Sequence, residues 1–538
     1  MKSFSAVFAL QLALLPLAAV CKDVQWFQTC EHTSDRLSEQ TPLTFEDDVS
    51  AQETLLYDIS VDSSKKFQTI LGFGGALTQS AASVYKRLPE YLQEQVIEAY
   101  YGPTGIGYST GRLPIHSCDF SEEVYSFDDS WGDANLDNFD QSVNYDQNLS
   151  LPLIHAALKA NPSLVLFGSP WSPPAWMKDN YNMMWGGKLL DEFKWSWAQY
   201  FSKWITAYNN QGVNIWGVTV QNEPEAVQSW ESCIYTAEDT RDFVAWFLGP
   251  VLKADHPDVK ILGYDHNKDH LPDWADTLLA EDSASKPFMD GIAFHWYSGS
   301  CFGNVQTVSA AYPSAVLLPS EACFELTAIN PLNDDTSSDE DWLVNGTWAK
   351  GEGYGYDILG DLQSGSSGWT DWNIMLDSQG GPNHVDNYCD APIIAFTGTE
   401  SELKARESMG LGERESADMA VYFHPQYYYM GHFSKFIAPG SVRVSAVTTT
   451  STTTTTTPAT VGRNATSDDC SSAYGGCDGS VLHSTAFEVS ESGDLVVVVL
   501  NCGQEDKEMR LRVNNVEGAL VNTVPANSIQ SYLIPSSE

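Results

Sequence analysis

The chain has 538 residues, more than one ordinary hydrophobic core holds, so we predict two or three domains. Hydrophobic residues make up 43% of it and aromatic residues 12%, which excludes general disorder. The net charge of −43 argues against nucleic-acid binding and against electrostatic docking on anionic lipid at neutral pH. The sequence pI of about 4.3 has two interpretations, an acidic working compartment or a solubilising surface charge.

Residues 1–20 are typical of a signal peptide. Lys2 precedes an apolar stretch that is long enough for the hydrophobic region of a signal peptide but short for a membrane span. We expect cleavage near Val20 or Cys21, with a signal anchor as the alternative. We therefore expect a soluble mature chain in the secretory pathway, either secreted or lysosomal or vacuolar. Glycosylation there is predicted at three sequons, which begin at Asn148, Asn345 and Asn464.

The ten cysteines are expected to include disulfide bonds in such an oxidising compartment. Cys470 and Cys477 are the best local candidates, and Cys21 with Cys30 is a second option if Cys21 remains after processing. The connectivity itself is not determined by one sequence. Two cysteines lie beside candidate active-site residues and are candidates for free thiols, namely Cys118 and Cys323.

An N-terminal β segment is predicted over residues 21–68, because the alternation in Glu53–Val61 favours a strand with one solvated face. From residue 69 to residue 437, apolar runs alternate with helical stretches. The clearest helix covers Trp195–Tyr208, where aromatic residues recur at spacings of three and four. Strands that alternate with such helices predict a parallel sheet.

Eight strands in this region predict an α/β fold, a (β/α)8 TIM barrel with insertions. A doubly wound open sheet is the alternative, but no Gly-rich dinucleotide fingerprint follows a strand. The predicted strands are Thr69–Phe73, Gly107–Arg112, Leu164–Gly168, Ile215–Val220, Ile261–Tyr264, Gly291–His295, Ala315–Leu318 and Gly368–Trp372.

Residues 438–538 predict an all-β, sandwich-like domain, with Leu495–Leu500 as its clearest strand and Ile529–Ile534 as its last. We expect the N-terminal segment to pair with this tail, so that the barrel is inserted between the two parts of one β-domain. Thr448–Thr460 is nearly all threonine, and we predict an exposed loop there that is a candidate for O-glycosylation.

Polar or aromatic residues stand at the C-terminal ends of the predicted barrel strands, where the active site of such a barrel is built. Any one of them has a structural explanation, but so many at the same relative place predict a shared site. In strand order they are Asp119 and Phe120, Trp171, Asn222 and Glu223, Asp265 and His266, His295 to Tyr297, Glu321, and Trp372 with Asn373.

Glu223 and Glu321 each stand at the end of an apolar run. An ionised carboxylate there is costly unless it is paired or has a catalytic function. Two carboxylic acids on opposite sides of a glycosidic bond hydrolyse it, and a separation of about 5–5.5 Å predicts retention of configuration. We assign Glu223 as the acid/base, because the amide of Asn222 beside it suits the sugar 2-hydroxyl. Glu321 then becomes the nucleophile, with His295 and Tyr297 hydrogen-bonded nearby. Two structural ion pairs are the alternative.

Eight ordered motifs together resemble the glucosylceramidases of glycoside hydrolase family 30, in clan A. The resemblance runs from about residue 55 to the C-terminus, whereas Asn-Glu-Pro alone would mark only the clan. The motifs are Phe73–Thr78, Ser117–Ser121, Ser169–Trp171, Asn222–Pro224, His295–Tyr297, Ser320–Cys323, Gly368–Asn373 and Gly431–Phe436.

The resemblance implies a retaining exo-β-glucosidase that acts on glucosylceramide, with no metal ion and no cofactor. It implies the same roles for Glu223 and Glu321. It also implies that Asp119 and Trp171 hold the outer hydroxyls of glucose, with the indole stacked on the sugar. The residues implied to line the glucose site are Arg112, Asp119, Trp171, Asn222, Tyr297, Trp372 and Asn387, to which the strand ends add Phe120 and His295.

The chain also departs from the animal members of that family. Asn267 stands where they have glutamine and His384 where they have tryptophan, both expected near the pocket mouth, so the aglycone preference is open. The threonine run and the insertion with Cys470 and Cys477 have no counterpart there. The expected partner is glucosylceramide at a membrane or micelle surface. The need for an activator protein and the oligomeric state stay open.

Two kinds of alternative function remain. Within the enzyme class, another β-glycan hydrolase of the same family is the alternative, such as a β-1,6-glucanase, a xylanase or a galactanase. From another class, the chain is a non-catalytic sugar- or glycolipid-binding relative. The presence of both Glu223 and Glu321 speaks against the second.

Overall fold

The computed structural model of the protein describes residues 23–46, 57–325, 348–397, 419–450, 470 and 476–536. The predicted signal peptide and the sequons at Asn345 and Asn464 lie outside these residues, whereas Asn148 is exposed. Within the described ranges, no helix is long and apolar enough to cross a membrane. These residues form a nine-stranded sheet, an eight-stranded sheet and a three-stranded sheet.

In chain order, the strands of the described residues are β1 (Gln25–Cys30), β2 (Ser38–Glu39), β3 (Tyr57–Thr69), β4 (Gly72–Ala76), β5 (Thr110–Ile115), β6 (Val165–Pro170), β7 (Ile215–Thr219), β8 (Lys260–Asn267), β9 (Gly291–His295), β10 (Val316–Glu321), β11 (Gly368–Asn373), β12 (Met375–Asp377), β13 (Ile393–Phe396), β14 (Ala420–Phe423), β15 (Val442–Thr450), β16 (His483–Glu488), β17 (Leu495–Asn501), β18 (Lys507–Val513), β19 (Leu520–Val524) and β20 (Ser528–Ile534).

The α-helices of the same residues are α1 (Gln79–Arg87), α2 (Glu90–Tyr101), α3 (Asn144–Gln147), α4 (Ser150–Ala160), α5 (Lys194–Asn210), α6 (Ala237–Phe243), α7 (Gly249–Asp255), α8 (Leu271–Leu279), α9 (Phe302–Ala311), α10 (Trp348–Ser364) and α11 (Pro425–Ser434).

Eight parallel strands form the barrel, and the predicted fold class is confirmed. The neighbours in the sheet run in the order β10, β9, β8, β7, β6, β5, β4 and β11. The barrel closes between β10 and β11, where the N–H of Ser367 donates to the carbonyl of Leu317 at 2.8 Å. Because all eight strands run parallel, their C-terminal ends meet at one mouth.

The first two predicted strands begin three residues too early, and for the first of them the reason is that β4 is glycine-rich. Thr69 still belongs to β3, and the first barrel strand is Gly72–Ala76. A Cβ on Gly74 would lie 1.9 Å from the carbonyl oxygen of Thr110 on β5. Close approach of neighbouring strands therefore requires glycine there, and glycine carries no hydrophobic signal.

The helix predicted over Trp195–Tyr208 is confirmed as α5. Its aromatic stripe is fully buried against the barrel, and this burial is the ordinary core packing that its spacing predicts. The stripe consists of Trp197, Phe201, Trp204 and Tyr208.

The β-domain combines strands from both ends of the chain, as predicted. β3 pairs antiparallel with β15 and parallel with β18, and β1 pairs antiparallel with β20. His432 on α11 connects this sheet to the barrel, with one ring nitrogen 2.9 Å from Thr29 Oγ1 and the other 2.8 Å from Ser531 Oγ. Burial lowers the pKa of His432 to about 3, so the imidazole is neutral in this contact.

Two predictions for the C-terminal region are corrected. Thr448–Thr450 belongs to β15, and Thr448 is buried with its hydroxyl 2.8 Å from that of Ser484, so the threonine run begins as a strand. The rest of the run, 451–460, lies outside the described residues. Cys470 and Cys477 are not paired with each other. The disulfide bonds are Cys301–Cys470 and Cys477–Cys502.

The disulfide correction has a spatial reason. Cys301 precedes α9 of the barrel, and Cys502 follows β17 of the β-domain. Cys470 therefore pairs with a cysteine of the barrel, whereas Cys477 pairs with a cysteine of the β-domain. Closeness along the chain does not place two sulfur atoms within bonding distance. Cys118, Cys323, Cys389 and Cys30 are not bonded to another cysteine within the described residues, and Cys21, the candidate partner of Cys30, lies outside them.

We expect the Gly74→Ala variant to lose about 1–3 kcal/mol or more of its free energy of unfolding, because its methyl group would overlap the Thr110 carbonyl. Chemical denaturation measures the loss. The matched control is Gly476→Ala, since a Cβ there meets nothing within 4 Å and should change the stability by less than about 0.5 kcal/mol. Equal stability of the two variants would contradict this account of β4.

Candidate active site

The loop after β7 presents Glu223 at the mouth of the barrel. The N–H of Asn222 donates to the carbonyl of Pro170 at 2.9 Å, and the N–H of Glu223 donates to the carbonyl of Asp265 at 2.9 Å. These bonds to β6 and β8 hold Glu223 at a φ of 47°, in the left-handed region. Such a conformation costs about 1–3 kcal/mol in a non-glycine residue and persists only where its surroundings determine it.

Glu321 is the last residue of β10 and faces Glu223 across the mouth. One carboxylate oxygen of each glutamate and a ring nitrogen of His295 all lie within 4.8 Å of one another. This separation is close to the about 5–5.5 Å of retaining glycosidases and well below the about 6.5–9.5 Å of inverting ones. The two carboxylates that the sequence places 98 positions apart therefore converge on one small space.

The guanidinium of Arg112, on β5, is fully buried and orients the nucleophile candidate. It donates from Nη1 to Glu321 Oε2 and from Nη2 to Asn222 Oδ1 and Asp265 Oδ2, both at 2.8 Å. Its Nε donates to Ser169 Oγ at 3.0 Å. One cation thus fixes residues from four strands or strand ends.

Asp265, which the sequence places at a strand end but to which it gives no binding role, is a further site residue. A register shift between Tyr264 and His266 turns its side chain into the barrel. There it accepts hydrogen bonds from the hydroxyls of Ser320 at 2.5 Å and Thr219 at 2.6 Å. Burial raises its pKa, but the positive charge beside it outweighs burial and holds the pKa well below its usual range.

His295 supplies the second positive charge of the site. Its Nε2 lies 3.0 Å from Asp265 Oδ1, and its Nδ1 lies 3.5 Å from Glu223 Oε1. Burial lowers the pKa of His295, but the negative charge of Glu321 and the bond to Asp265 raise it to about 9. The imidazole is therefore a cation at neutral and acidic pH.

The charge of His295 decides the state of Glu223 in the free site. Burial raises the pKa of Glu223, whereas the neighbouring imidazolium lowers it, to about 2. Gln228 adds a hydrogen bond from Nε2 to Glu223 Oε2 at 3.2 Å, which also favours the ionised form. Glu223 is thus ionised before a substrate binds.

Tyr297 and two tryptophans complete the inner walls. The hydroxyl of Tyr297 donates to Glu321 Oε1 at 2.9 Å. The rings of Trp171 and Trp372 stack with centroids 5.2 Å apart, and Arg112 Cζ lies 4.8 Å from the centre of the Trp171 ring. Flat aromatic faces of this kind give a sugar ring an apolar surface on which to stack.

Asp119 lines the pocket and has one oxygen without a hydrogen bond among the described residues. Its Oδ2 accepts from Asn387 Nδ2 at 2.9 Å, whereas its Oδ1 is buried without a hydrogen-bond partner among the described residues. Burial and the charge of Glu321 raise the pKa of Asp119 well above its usual value. A buried oxygen without a partner is costly, so a ligand hydroxyl at this position would be stabilising.

These groups form a pocket whose empty space, counted together with the open solvent at its mouth, is about 350 Å³. Arg112 and His295 lie behind the carboxylates, and Phe120 packs edge-on against Trp372 with centroids 6.0 Å apart, so these three predicted binding residues do not line it. The residues that do are Asp119, Trp171, Asn222, Glu223, Gln228, Trp230, Tyr297, Glu321, Cys323, Glu325, Trp372, Asn387 and Cys389.

Sequence reasoning missed the lining residues that lie in loops without a strand-end signal, such as Gln228, Trp230 and Cys389.

Asn267 and His384, the two residues that differ from the animal enzymes, do not line the pocket. Asn267 Oδ1 accepts from the N–H of Tyr297 at 3.1 Å. His384 Nε2 lies 3.3 Å from a carboxylate oxygen of Glu231.

Glu223, His295 and Glu321 are also close enough together to hold one metal ion. Glu321 already accepts hydrogen bonds from Arg112 and Tyr297, and His295 already faces Asp265. The positive charge that a metal ion would supply is thus provided by Arg112 and His295. Two opposed carboxylates at the C-terminal mouth of a TIM barrel are the arrangement that a glycoside hydrolase requires.

Comparison with known proteins assigns the family. Residues 70–409 match the glycosyl hydrolase family 30 TIM-barrel domain, and residues 440–532 match the family 30 beta sandwich domain. The chain therefore belongs to glycosyl hydrolase family 30 and is a glycoside hydrolase. The family suggested by the sequence motifs is confirmed.

Three relatives illustrate the range of this family. The chain is 33% identical over 488 residues to the lysosomal acid glucosylceramidase of Mus musculus, covering 88% of this chain and 83% of that protein. It is 27% identical over 538 residues to the endo-1,6-beta-D-glucanase of Neurospora crassa, covering 98% and 99%. The crystal structure of SrfJ from Salmonella typhimurium superposes with a TM-score of 0.78 at 29% identity, covering 96% of this chain and all of that one.

We expect the His295→Gln variant to lose stability in a pH-dependent way. The pKa of His295 is raised from 6.5 to about 9 on folding, so its contribution is complete below about pH 6.5 and disappears as the pH rises through about 9. Urea denaturation across this pH range should show the largest loss on the acidic side and a shrinking difference above it. The exposed His32→Gln variant is the control. A loss that is independent of pH would contradict the charged state of His295.

Proposed function

We propose that the protein is a retaining exo-β-glucosidase that hydrolyses glucosylceramide to glucose and ceramide by double displacement. The observation that carries the proposal is the convergence of Glu223 and Glu321, with oxygens within 4.8 Å of each other in the pocket. Glu321 attacks the anomeric carbon while Glu223 protonates the glycosidic oxygen. Glu223 then removes a proton from water, which attacks the glucosyl–Glu321 ester and releases glucose with retained configuration.

The roles follow from the partners of each carboxylate. Both oxygens of Glu321 are oriented by donors, one by Arg112 and one by Tyr297, which positions the group for attack. Glu223 has a cationic neighbour instead, with His295 Nδ1 3.5 Å from its Oε1. We assign to His295 the proton that Glu223 needs as an acid, transferred from Nδ1 to Oε1 once bound substrate has excluded water.

The lining of the pocket supports exo cleavage of a single sugar. This lining offers one buried acidic side chain, Asp119, and two flat aromatic faces, Trp171 and Trp372, within the same small space as Glu223 and Glu321. The unpaired Oδ1 of Asp119 and the ring of Trp171 suit the outer hydroxyls and the face of one glucose ring. A non-reducing terminal glucose therefore fits this chemistry.

An exposed apolar surface beside the pocket supports an apolar leaving group. We call it the aromatic shelf, and its residues are Trp131, Tyr181, Trp185 and Val227, which are 59–68% exposed. The rings of Trp131 and Tyr181 lie 5.8 Å apart, and a Cβ on Gly186, next to Trp185, would lie 3.0 Å from Val227.

The aromatic shelf adjoins the acid/base side of the pocket. The N–H of Trp185 is 3.0 Å from the carbonyl of Gln228 and 3.3 Å from that of Trp230, and both of these residues line the pocket. Gln228 in turn contacts Glu223. Since the acid protonates the leaving oxygen, the leaving group exits on this side, and the hydrocarbon chains of ceramide would contact the shelf.

Localisation in the secretory pathway, in a lysosome-like or vacuolar compartment or outside the cell, fits the same proposal. The predicted signal peptide, the pI of about 4.3 and the lysosomal relative from mouse support it. In acid, protonation of carboxylates reduces the repulsion between this chain and an anionic lipid surface.

The second candidate function is endo-hydrolysis of a β-1,6-glucan. The observation that favours it is the Neurospora crassa endo-1,6-beta-D-glucanase, which matches 98% of this chain. Exposed tryptophans such as Trp131 and Trp185 also stack on sugar rings. Product analysis distinguishes the two, because an endo-enzyme releases oligosaccharides from a β-1,6-glucan, whereas the proposed enzyme releases glucose from glucosylceramide.

We expect Glu223→Gln to lower kcat on glucosylceramide by about 10²–10⁴-fold, because the leaving oxygen loses its general acid. Glu321→Gln should abolish turnover, because no covalent intermediate forms. Release of glucose from detergent-dispersed glucosylceramide at acidic pH measures both. Glu225→Gln is the matched control, since Glu225 lies in the same loop but contacts Tyr264 and His270 rather than the pocket.

A labelling experiment separates the two roles. Incubation with an activated 2-deoxy-2-fluoro-β-glucoside should add one sugar to the peptide that contains Glu321 in the wild type and in Glu225→Gln. Label on the Glu223 peptide would reverse the assignment. An unlabelled protein that releases no glucose would refute the enzyme's proposed substrate and mechanism together.

We expect Trp185→Ala to raise KM for glucosylceramide about tenfold, with little change in KM for a short, water-soluble glucoside, because only the lipid reaches the aromatic shelf. Steady-state kinetics on both substrates measure this difference. Trp246→Ala is the matched control, since Trp246 is 65% exposed but is not part of the shelf. Equal effects of Trp185→Ala on both substrates would contradict a role of the shelf in aglycone binding.

A further inference from the structure

Two cysteines meet at the rim of the active-site pocket. Cys323 lies two residues after Glu321, and Cys389 lies two residues after Asn387. Both are buried, both line the pocket, and their Sγ atoms are 2.8 Å apart. An antiparallel bridge between Glu325 and Cys389 brings the two chain segments together.

A separation of 2.8 Å is too short for two unbonded sulfur atoms at rest. Non-bonded carbon atoms already rest about 3.5–4.0 Å apart, and sulfur is larger. A disulfide bond of about 2.03–2.05 Å requires the sulfurs to approach by only about 0.8 Å more. We propose that Cys323 and Cys389 form a disulfide bond that fastens the Asn387 loop to the end of β10.

The bond forms by thiol–disulfide exchange with a small disulfide such as oxidised glutathione. The thiolate of one cysteine attacks that disulfide and releases one glutathione as its thiolate. The thiolate of the second cysteine attacks the mixed disulfide and releases the other. Two protein thiols are oxidised and one molecule of oxidised glutathione is reduced to two of glutathione, with the two thiol protons taken up by the released thiolates.

The folded structure favours a permanent bond rather than a reversible switch. Burial raises the pKa of Cys323 well above its usual value and that of Cys389 to about 11. Because the thiolate is the reactive form, exchange is slow once the rim is closed. The bond therefore forms during folding in an oxidising compartment, where Cys301–Cys470 and Cys477–Cys502 also form.

The disulfide would act on the sugar-binding residues through the loop that it fixes. Asn387 donates to Asp119 from that loop at 2.9 Å, and Asp119 lines the pocket with its other oxygen buried and without a partner among the described residues. On the β10 side, the Tyr297 hydroxyl lies 3.4 Å from Cys323 Sγ and 2.9 Å from Glu321. One covalent bond thus connects the supports of the glucose site and of the nucleophile candidate.

Disulfide mapping tests the bond without any substrate, so its result does not depend on the proposed function. The protein, secreted from a eukaryotic host, is alkylated in denaturant without reductant, digested and analysed by mass spectrometry. We expect a cross-linked peptide pair with Cys323 and Cys389, and an alkylated Cys30, which is buried 3.8 Å from the carbonyl of Ala526. Alkylation of both Cys323 and Cys389 in a sample whose Cys301–Cys470 bond is intact would overturn the proposal.

Variants test what the bond does. We expect Cys389→Ser to lower Tm and to raise KM for a small glucoside several-fold, with a smaller change in kcat, because the Asn387 loop loosens around Asp119. Cys30→Ser is the matched control and should keep the wild-type KM. Unchanged Tm and KM in Cys389→Ser would overturn the positioning role.

Discussion

Arg112 donates hydrogen bonds to Glu321, Asn222 and Asp265 from a position with no solvent exposure, and the order of the site depends on these bonds. A buried cation of this kind is stable only when acidic partners surround it, and buried carboxylates in turn need the cation. His295 is the second cation, between Asp265 and Glu223. The two positive charges allow several carboxylates to share one small space without neutralising all of them by protonation.

The same arrangement assigns different environments to chemically identical groups. Glu321 is hydrogen-bonded on both oxygens, and Glu223 faces an imidazolium. Burial and the negative charge of Glu321 raise the pKa of Asp119. Asp265 is enclosed and never reaches the pocket. The roles that we propose for these carboxylates, namely attack, proton exchange and hydroxyl binding, can thus coexist, because each group has its own set of donors and charges.

The barrel makes this possible by close approach of its strands. Gly74 permits contact with the backbone of β5, and a Cβ on Gly168 of β6 would lie 2.5 Å from the ring of Trp204 on α5. The β-bulge at Asp265 and the left-handed backbone of Glu223 then turn two side chains inward that a regular strand would direct elsewhere. Local irregularities at the strand ends are therefore part of how the site is formed.

Much of the architecture was accessible from the sequence, because hydrophobic periodicity reports burial directly. The aromatic stripe of α5, the eight barrel strands and the pairing of both chain ends in one β-domain were all predicted, and the structure has them. Asn222, Glu223 and Glu321 at strand ends indicated the candidate site, because an ionised carboxylate beside an apolar run is costly unless it has a partner. Glycine-rich β4 was displaced in the prediction because glycine leaves no hydrophobic signal.

The tertiary structure alone decided what depends on distance between remote segments. Cys470 pairs with Cys301 rather than with its neighbour Cys477, and Cys389 meets Cys323 across 66 residues. The enclosure of Asp265 and the contribution of Gln228 to the pocket also depend on loops from different strands. The sequence by itself determined which segments are buried and which chemistry they carry, whereas only the folded chain decided which of those groups lie within bonding distance, because that is a property of space and not of order along the chain.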